Sequence, residues 1–404
     1  MRSFAGIFLL FALLLPVYSI TQQWLDIPAV LVNNLPWIPY AIIATGLILC
    51  VIFYNSREFC LLVITGCTFW IFQNYVWSKG LPGIRREQLF DLLSFLLPAN
   101  LLVFYFLRER GLLNQHGIKR LGIIFVEIAV IIWMIHADNL GFTSYIARDL
   151  FNHELTRLTV LKQTVIILWI ITLSCLMIQW LIKDGFMNAI WLLSLFSLLI
   201  AMHLVQDVLL STIYLIITCL ILTGGVIINA YNLAYRDELT LLPSRRALKQ
   251  QLLALGKNYA IAMVDVDHFK KLNDTYGHDV GDDVLKLLAS HLNDVEGGGK
   301  AFRYGGEEFT VVFPGKDADH ASEYLDKLRQ QISTTPFIIR HKKRPRKKPD
   351  HRKQRSNTKR INITVSIGVA EKQDEHDNPQ EVIKSADNAL YKAKQNGRNQ
   401  VVIG

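Results

Sequence analysis

The chain has 404 residues, a formal charge of +9 and a mean hydropathy of +0.27, but its charged residues are distributed very unevenly. Residues 1–231 contain 24 Asp, Glu, Lys and Arg side chains, whereas the remaining 173 residues contain 53. Such a division excludes a single globular domain, a disordered chain and a collagen-like repeat. It predicts two domains, with residues 1–231 in lipid and residues 232–404 in water.

The positive charge is local as well. Residues 341–360 carry 11 Lys or Arg and one Asp, so the rest of the chain is nearly neutral and no general affinity for nucleic acid is indicated. The five cysteines lie in apolar stretches without a CxxC pair. This predicts buried free thiols rather than a disulfide framework or a zinc site.

The N-terminal half is predicted to be an all-α, multi-span membrane bundle. A span needs about 20 mostly apolar residues, and eight segments qualify, near residues 5–20, 36–54, 59–77, 89–107, 120–136, 163–182, 187–204 and 208–231. The first also resembles a signal peptide, because Arg2 precedes an apolar run ending in Val17-Tyr18-Ser19. Seven or eight spans are therefore expected. Lys and Arg in the short loops, seven against five, slightly favour an inside location for the C-terminal half.

Polar side chains in these spans have two interpretations, a ligand or proton site inside the bundle or a position at the membrane surface. Asp207, close to His203, is interpreted as a residue at a span end. For Glu127 both interpretations remain open.

From residue 232 onward, strand and helix patterns alternate. The predicted helices cover residues 269–274, 280–292, 318–333 and 379–395, and the predicted strands are Ile261–Val264, Phe302–Tyr304, Phe309–Phe313, Phe337–Arg340, Ile361–Ala370 and an edge strand Gln400–Ile403. This alternation predicts a mixed sheet covered by helices, in an α/β or α+β domain.

Two acidic clusters in this half point to metal chemistry. Asp265 stands where the first strand ends, with Asp267 two residues on, and Glu307 and Glu308 follow a double glycine that permits a tight turn. If the two strands are neighbours, Asp265 and Glu307 converge, and such carboxylates hold Mg²⁺ together with substrate phosphates. Taken singly, each cluster is also compatible with ordinary solvated acids at strand ends.

Longer motifs surround both clusters. Gly305-Gly306-Glu307-Glu308-Phe309 is accompanied by Asp265-Val266-Asp267-His268-Phe269-Lys270-Lys271-Leu272-Asn273-Asp274, which continues through Gly277-His278-Asp279-Val280-Gly281-Asp282. Together they resemble the GGDEF-domain diguanylate cyclases, in the GGEEF variant. Further matching segments are Asp237-Glu238-Leu239-Thr240, Arg303-Tyr304, Val365-Ser366-Ile367-Gly368-Val369, Ala386-Asp387-Asn388-Ala389-Leu390-Tyr391-Lys392-Ala393-Lys394 and Gly397-Arg398-Asn399. The resemblance covers residues 237–403 and says nothing specific about residues 1–231.

The resemblance implies a palm-like nucleotide cyclase fold with a mixed, largely antiparallel sheet. It also implies that a homodimer converts two GTP into cyclic di-GMP and two pyrophosphates. Asp265, the Val266 carbonyl and Glu307 are then expected to hold Mg²⁺, two ions per active site. Glu307 is also the expected base for the 3′-hydroxyl, with Glu308 as its neighbour.

The resemblance assigns the nucleotide contacts as well. Asn273 and Asp282 are expected to bind guanine. His278 is expected either to contact the nucleoside or to serve a capping or packing role. The β- and γ-phosphates are expected to be held by Lys270, Lys394 and Arg398, the last two from one helix end if that helix continues far enough.

Three features depart from the family pattern. Leu241 and Ser244 stand where Gly and Asn are usual in the N-terminal turn, and Glu296 and Gly299 stand where the family has the Arg-x-x-Asp of its product-inhibition site. The third is the basic insert, residues 341–360, in place of a short turn. The insert is expected either to be a solvated hairpin tip or to contact anionic membrane lipid. No nucleic-acid partner is expected, because no aromatic residue interleaves the charges.

The sequence therefore predicts a multi-pass protein of the bacterial inner membrane with a cytoplasmic cyclase domain regulated by the membrane region. The alternative is a catalytically silent membrane receptor whose GGDEF domain only binds GTP. The complete set of metal and guanine residues favours the active enzyme. A transporter with a regulatory tail is disfavoured, because the spans show no internal symmetry.

Overall fold

The computed structural model describes residues 36–78, 81–137, 141, 143–146, 150, 159–182, 185–339 and 359–404. The chain divides into two compact units, Met1–Ala230 and Tyr231–Gly404. The predicted span at residues 5–20 and residues 341–358 of the basic insert lie outside the described residues.

The described part of the first unit is helical. Its helices are α1 (Ile38–Ile52), α2 (Ser56–Ile71, followed by a π-helical turn Phe72–Val76), α3 (Gly83–Phe106), α4 (Gln115–His136), α5 (Gln163–Ile182), α6 (Phe186–His203) and α7 (Val208–Tyr235), with a short helix Thr143–Ile146 before α5. Within the described ranges, five are long and apolar enough to cross a membrane: α2 with its π-helical turn, α3, α5, α6 and α7. The sequence predicted seven or eight. Helix α1 has only 15 residues, and α4 carries Lys119, Arg120 and Glu127.

The polar side chains predicted within the spans have local partners. Asp207 accepts a hydrogen bond from the Leu210 amide at 3.0 Å in the first turn of α7, which agrees with its interpretation as a residue at a span end. Glu127 on α4 accepts a 2.7 Å hydrogen bond from the Asn100 amide group on α3. The structure thus gives Glu127 a role in the contact between two helices.

The second unit is built on a five-stranded sheet. Its elements are α8 (Arg245–Leu253), β1 (Tyr259–Val266), α9 (Phe269–Tyr276), α10 (His278–Asn293), β2 (Lys300–Gly305), β3 (Glu308–Pro314), α11 (Ala318–Thr334), β4 (Phe337–Ile339), β5 (Lys359–Ile361), β6 (Val365–Glu371), α12 (Pro379–Gln395) and β7 (Val401–Ile403). The strand order is β2-β3-β1-β6-β7, and only the β6–β7 pair is parallel. The prediction of a mixed, largely antiparallel sheet is confirmed.

The predicted strand Ile361–Ala370 was wrong in one respect, because it is two strands. Ile361 ends β5, which pairs with β4 in a separate two-stranded ribbon, whereas β6 begins at Val365 and pairs with β1. An apolar alternation in one sequence carries no information about a change of partner strand, so the pattern merged the two.

The sheet core fixes the end of β1 in position. All eight residues of β1 are buried, as expected for a central strand covered on both faces. On neighbouring β6, a Cβ at Gly368 would lie 2.0 Å from the Leu390 backbone nitrogen. Glycine at this position therefore lets α12 lie directly against the sheet, and this close packing brings Lys394 of α12 to the end of β1.

Candidate active site

Three carboxylates gather where β1 ends and β3 begins. Asp265, 5% exposed, is the register partner of Glu308 on β3 and of Ser366 on β6. Glu307 lies in the preceding turn, after Gly306, whose φ of 51° is in the left-handed region that glycine readily adopts. Strands β1 and β3 are adjacent, and this adjacency is the arrangement that the sequence analysis required for Asp265 and Glu307 to lie close together. Both glutamates lie within electrostatic reach of Asp265.

Burial and mutual repulsion make this group of carboxylates reluctant to ionise together. Burial is the main cause that raises the pKa of Asp265, and the hydrogen bond and charge of Lys394, whose Nζ lies 2.9 Å from Asp265 Oδ1, offset it only in part. Burial and then the charge of Asp265 raise the pKa of Glu307, and the same two causes raise that of Glu308. The charges of Lys394 and Arg398 act on Asp265 but leave the pKa values of all three carboxylates raised, so the site has the donor chemistry that suits a hard divalent cation.

Protein groups alone do not complete a metal shell. No group of three His, Cys, Asp or Glu residues is arranged to hold a metal ion in the part of the chain that the structure describes. Asp265, Glu307 and the carbonyl of Val266, the last residue of β1, would leave most positions to substrate phosphates and water.

Asp267 plays a different part from Asp265, with which the sequence grouped it. Its carboxylate accepts hydrogen bonds from Thr364 Oγ1 (2.7 Å), Ser366 Oγ (2.6 Å) and the backbone N–H of Asn399 (3.1 Å). A carboxylate with these three donors holds β1, β6 and the loop after α12 together rather than binding a ligand. Its partners lie 97 to 132 residues further along the chain, so no local signal distinguished it from Asp265.

The predicted guanine residues lie around the contact between α9 and α10. The Oδ1 atom of Asn273 is buried and has no hydrogen-bond partner among the described residues. A Cβ at Gly281 would lie 1.9 Å from that atom, so the glycine leaves the space that the amide occupies. Asp282 follows on α10 and is exposed. An acceptor without a donor beside an exposed carboxylate suits a ligand edge rich in N–H groups.

His278 is the first residue of α10, and its side chain is exposed. The helix begins after Gly277 without a side-chain cap, so neither the capping nor the packing role has structural support. Contact with the nucleoside remains a prediction.

The three cations predicted to bind phosphate occupy separate elements. Lys270 is exposed in the first turn of α9. Lys394 lies on α12 and contacts Asp265. Arg398 does not share that helix, because α12 ends at Gln395 and Gly397 turns the chain at φ 106°. Arg398 is nevertheless close enough to act electrostatically on Asp265.

Arg303 has a role that the sequence did not reveal beyond its place before the signature. Its guanidinium lies 2.6 Å from Asp237 Oδ1 and donates to the Gly306 carbonyl from Nη2 at 2.8 Å. Burial alone would raise the pKa of Asp237, but hydrogen bonds from Thr240 and Arg303 outweigh it and hold that pKa below its usual value. Arg303 thereby fixes the turn that carries Glu307 to the N-terminal turn of the domain.

The departures from the family pattern also have structural consequences. Leu241 has a φ of 60° and is 67% exposed, so a residue with a Cβ occupies a conformation that favours glycine. At the product-inhibition positions, a Cβ on Gly299 would lie 2.7 Å from Cε1 of Phe313. The space for an aspartate side chain is therefore filled by the core.

Comparison with known protein families agrees with the sequence motifs. Residues 234–400 match the family model described as "Diguanylate cyclase, GGDEF domain". The resemblance drawn from the motifs is confirmed for this part of the chain.

Named relatives match the same part. The chain is 36% identical over 182 residues to the response regulator PleD of Caulobacter vibrioides, covering 43% of this chain and 37% of that protein. It is 36% identical over 170 residues to the diguanylate cyclase VdcA of Vibrio cholerae, and this match covers 41% of this chain and 46% of VdcA. A solved structure of the coiled coil and GGDEF domain of DgcB from Caulobacter crescentus with c-di-GMP shares 32% identity, covers 44% of this chain and 90% of that one, and has a TM-score of 0.38. The chain spans less than half the length of these two curated relatives.

Proposed function

Residues 234–400 of this chain are a GGDEF domain, and on that basis we propose that the protein is a diguanylate cyclase that converts two GTP into cyclic di-GMP and two pyrophosphates. The observation that carries the proposal is the crowding of Asp265, Glu307 and Glu308 at one strand end beside Lys394. Burial first, and then the charge of Asp265, raises the pKa values of Glu307 and Glu308, so the fold alone gives no reason to place these acids together.

Asp265, Glu307 and the Val266 carbonyl are the groups that would hold Mg²⁺, two ions per site. When bound, the metal would supply positive charge to the phosphates on which negative charge develops. Lys270 and Arg398 are the cations free to reach the terminal phosphates, and Lys394 joins them when it leaves Asp265.

Glu307 would accept the proton of the 3′-hydroxyl. In the protein without a bound cation, burial and then the charge of Asp265 raise the pKa of Glu307. The hydroxyl oxygen then attacks the α-phosphorus of the second GTP, and pyrophosphate leaves from the same phosphorus. Two such sites must face each other, so the active form is a homodimer.

Guanine selectivity would come from Asn273 and Asp282. The buried Oδ1 of Asn273 has no donor among the residues that the structure describes, and the N1–H and N2 amino groups of guanine would supply donors to it and to the Asp282 carboxylate. Adenine presents a ring acceptor at the position of N1–H, so these oxygens would lose a donor and binding would weaken.

The helical unit, residues 1–231, would anchor the enzyme as a multi-pass protein of the bacterial inner membrane, with residues 232–404 in the cytoplasm and seven or eight spans in all. Large apolar side chains are exposed along its helices, for example Phe125 (74%), Ile182 (70%) and Trp133 (60%). In water such surfaces are costly, whereas lipid covers them without loss. The basic insert, residues 341–360, would contact anionic lipid, since its net charge of +10 attracts a negative membrane surface.

The activity is tested on the intact purified protein with GTP and Mg²⁺ by measuring cyclic di-GMP. Replacing Glu307 by Gln removes the proposed base, so the rate should fall by about 100-fold or more. Glu375→Gln, the same change at an exposed acid in the loop before α12, should leave the rate unchanged. Near wild-type activity of Glu307→Gln would refute the role of Glu307.

A further inference from the structure

A cavity of about 430 Å³ opens among the helix ends of the first unit. It is lined by Trp77 after the π-helical turn, by the first two turns of α3, by Lys162 before α5 and by the connection from α6 to α7. This volume falls within the range of small-molecule sites. The cavity belongs to neither the catalytic domain nor the helix-packing contacts already described.

Four charged side chains line the cavity, and their charges cancel. They are Arg86, Glu87 and Asp91 on α3, and Lys162. None of them forms an ion pair within 4.0 Å or a side-chain hydrogen bond with another described residue. Groups that could have neutralised each other by direct pairing therefore remain available to a ligand.

Two of these groups lack a hydrogen-bond partner among the described residues. Asp91 is 5% exposed, and its carboxylate accepts no hydrogen bond from the residues that the structure describes. The Nε atom of Arg86 is buried and equally lacks a partner in that part of the chain. A buried polar group without a partner costs on the order of 1–3 kcal/mol, so Arg86 Nε gains from a ligand that supplies an acceptor. The Asp91 carboxylate lines the same cavity and is open to a ligand that supplies a donor.

Two aromatic rings, Trp77 and Phe90, line the cavity beside aliphatic side chains. The Trp77 indole donates to the Val205 carbonyl at 3.0 Å, and its ring meets Phe72 edge-on at 5.4 Å between centroids. Phe90 lines the cavity beside it and lies 6.2 Å from the same Phe72 ring. Fixed aromatic surfaces next to charged groups favour an apolar body with a cationic end.

From these observations we infer that the cavity binds a small zwitterion of the amino-acid class with an apolar side chain. Asp91 receives the ammonium group, Arg86 receives the carboxylate, and the apolar side chain lies against Trp77 and Phe90. A simple anion would pair with Arg86 alone, and a simple amine would pair with Asp91 alone.

The cavity also contacts the start of helix α7. Val208, the first residue of α7, lines the cavity. The occupant thus contacts the helix that leads into the GGDEF domain. Binding itself does not depend on the proposed cyclase activity, so the test reads binding alone.

The test uses the intact protein purified in detergent and each of the twenty common L-amino acids as a probe at about 1 mM, which detects a Kd of that order. Thermal unfolding identifies the amino acid that stabilises the protein, and calorimetry measures its Kd. Asp91→Asn should raise this Kd by about 10-fold or more, since a hydrogen bond between two charges is lost. Glu127→Gln removes one carboxylate charge from α4, away from the cavity, and should leave the Kd unchanged. Failure of all twenty to bind would overturn the inference.

Modified ligands separate recognition from a general effect on folding. The N-acetyl form of the bound amino acid lacks the ammonium group and should bind the wild type weakly, with no further loss in Asp91→Asn. The amide form of the amino acid lacks the carboxylate. It should bind the wild type weakly, and Arg86→Gln should weaken its binding no further. If Asp91→Asn weakens binding of the acetylated amino acid as much as binding of the unmodified one, Asp91 acts through the fold and does not bind the ammonium group. Should one variant fail to fold, the ligand series on the wild type and the other variant still decides.

Discussion

Replacing Gly281 by alanine should weaken GTP binding without weakening the fold. The new Cβ would lie 1.9 Å from Oδ1 and 3.0 Å from Cγ of Asn273, so the amide must move by about 1 Å or more. That displacement removes the acceptor proposed to bind guanine. Loss of such a contact costs on the order of 1–3 kcal/mol, which corresponds to a 5- to 150-fold rise in the Kd for GTP.

The stability of the Gly281→Ala variant should rise slightly or stay unchanged. Gly281 lies inside α10, where alanine is favoured over glycine by about 1 kcal/mol. The atoms nearest to the new Cβ belong to the ends of two side chains, Asn273 and, at 3.2 Å, Phe269, rather than to backbone, so both can shift at low cost in stability. We therefore expect an unfolding temperature close to that of the wild type together with a large loss of affinity.

The assay is calorimetric titration of the intact protein with GTP, beside thermal unfolding without nucleotide. Gly256→Ala is the matched control, because no atom lies within 4 Å of a Cβ at that position. Asn273→Ala should lose about as much affinity as Gly281→Ala, and the double variant should lose little more, since both changes remove one contact. Wild-type affinity of Gly281→Ala would refute the role assigned to Asn273.

Other parts of the domain give three further predictions. Leu241→Gly should raise stability by about 1 kcal/mol in urea unfolding, because the left-handed φ of 60° no longer carries a Cβ; a less stable variant would contradict this. The pKa of Asp237 is lowered in the fold, so its contact with Arg303 stabilises above about pH 4 and this stability is lost as the pH falls through the pKa of the folded state. Asp237→Asn should accordingly lower the unfolding temperature at about pH 7 by more than at about pH 3, and an equal loss at both would show that charge is not the cause. Cyclic di-GMP should inhibit the enzyme only by competing with GTP, and non-competitive inhibition of the wild type would contradict this. Gly299→Asp should not create a separate inhibitory site, because its Cβ would lie 2.7 Å from Cε1 of Phe313.

The sheet could be predicted from the sequence because its signals are local. The apolar run before Asp265 and the double glycine before Glu307 marked a strand end and a turn, and both lie where the pattern indicated. The helix end after Lys394 was harder to predict. Gly397 and its left-handed φ end the helix before Arg398, although the spacing of the two basic residues alone suited one helix.

The contacts between distant segments could not be predicted. Asp267 binds residues 97 to 132 positions away, and only the fold shows that its carboxylate accepts three hydrogen bonds while that of Asp265 contacts the Lys394 ammonium. The cavity of the helical unit is a stronger case. Asp91 and Lys162 lie on different helices or their connections, and no motif in the sequence relates them.

The central claim is that two GTP are joined at this site, and the product balance of the intact protein tests it most directly. With GTP and Mg²⁺, we expect two pyrophosphates for each cyclic di-GMP, and a specific activity that rises with protein concentration because two sites must meet. Tight binding of GTP with no cyclic di-GMP formed at any protein concentration would contradict the claim and identify the chain as a nucleotide-binding receptor.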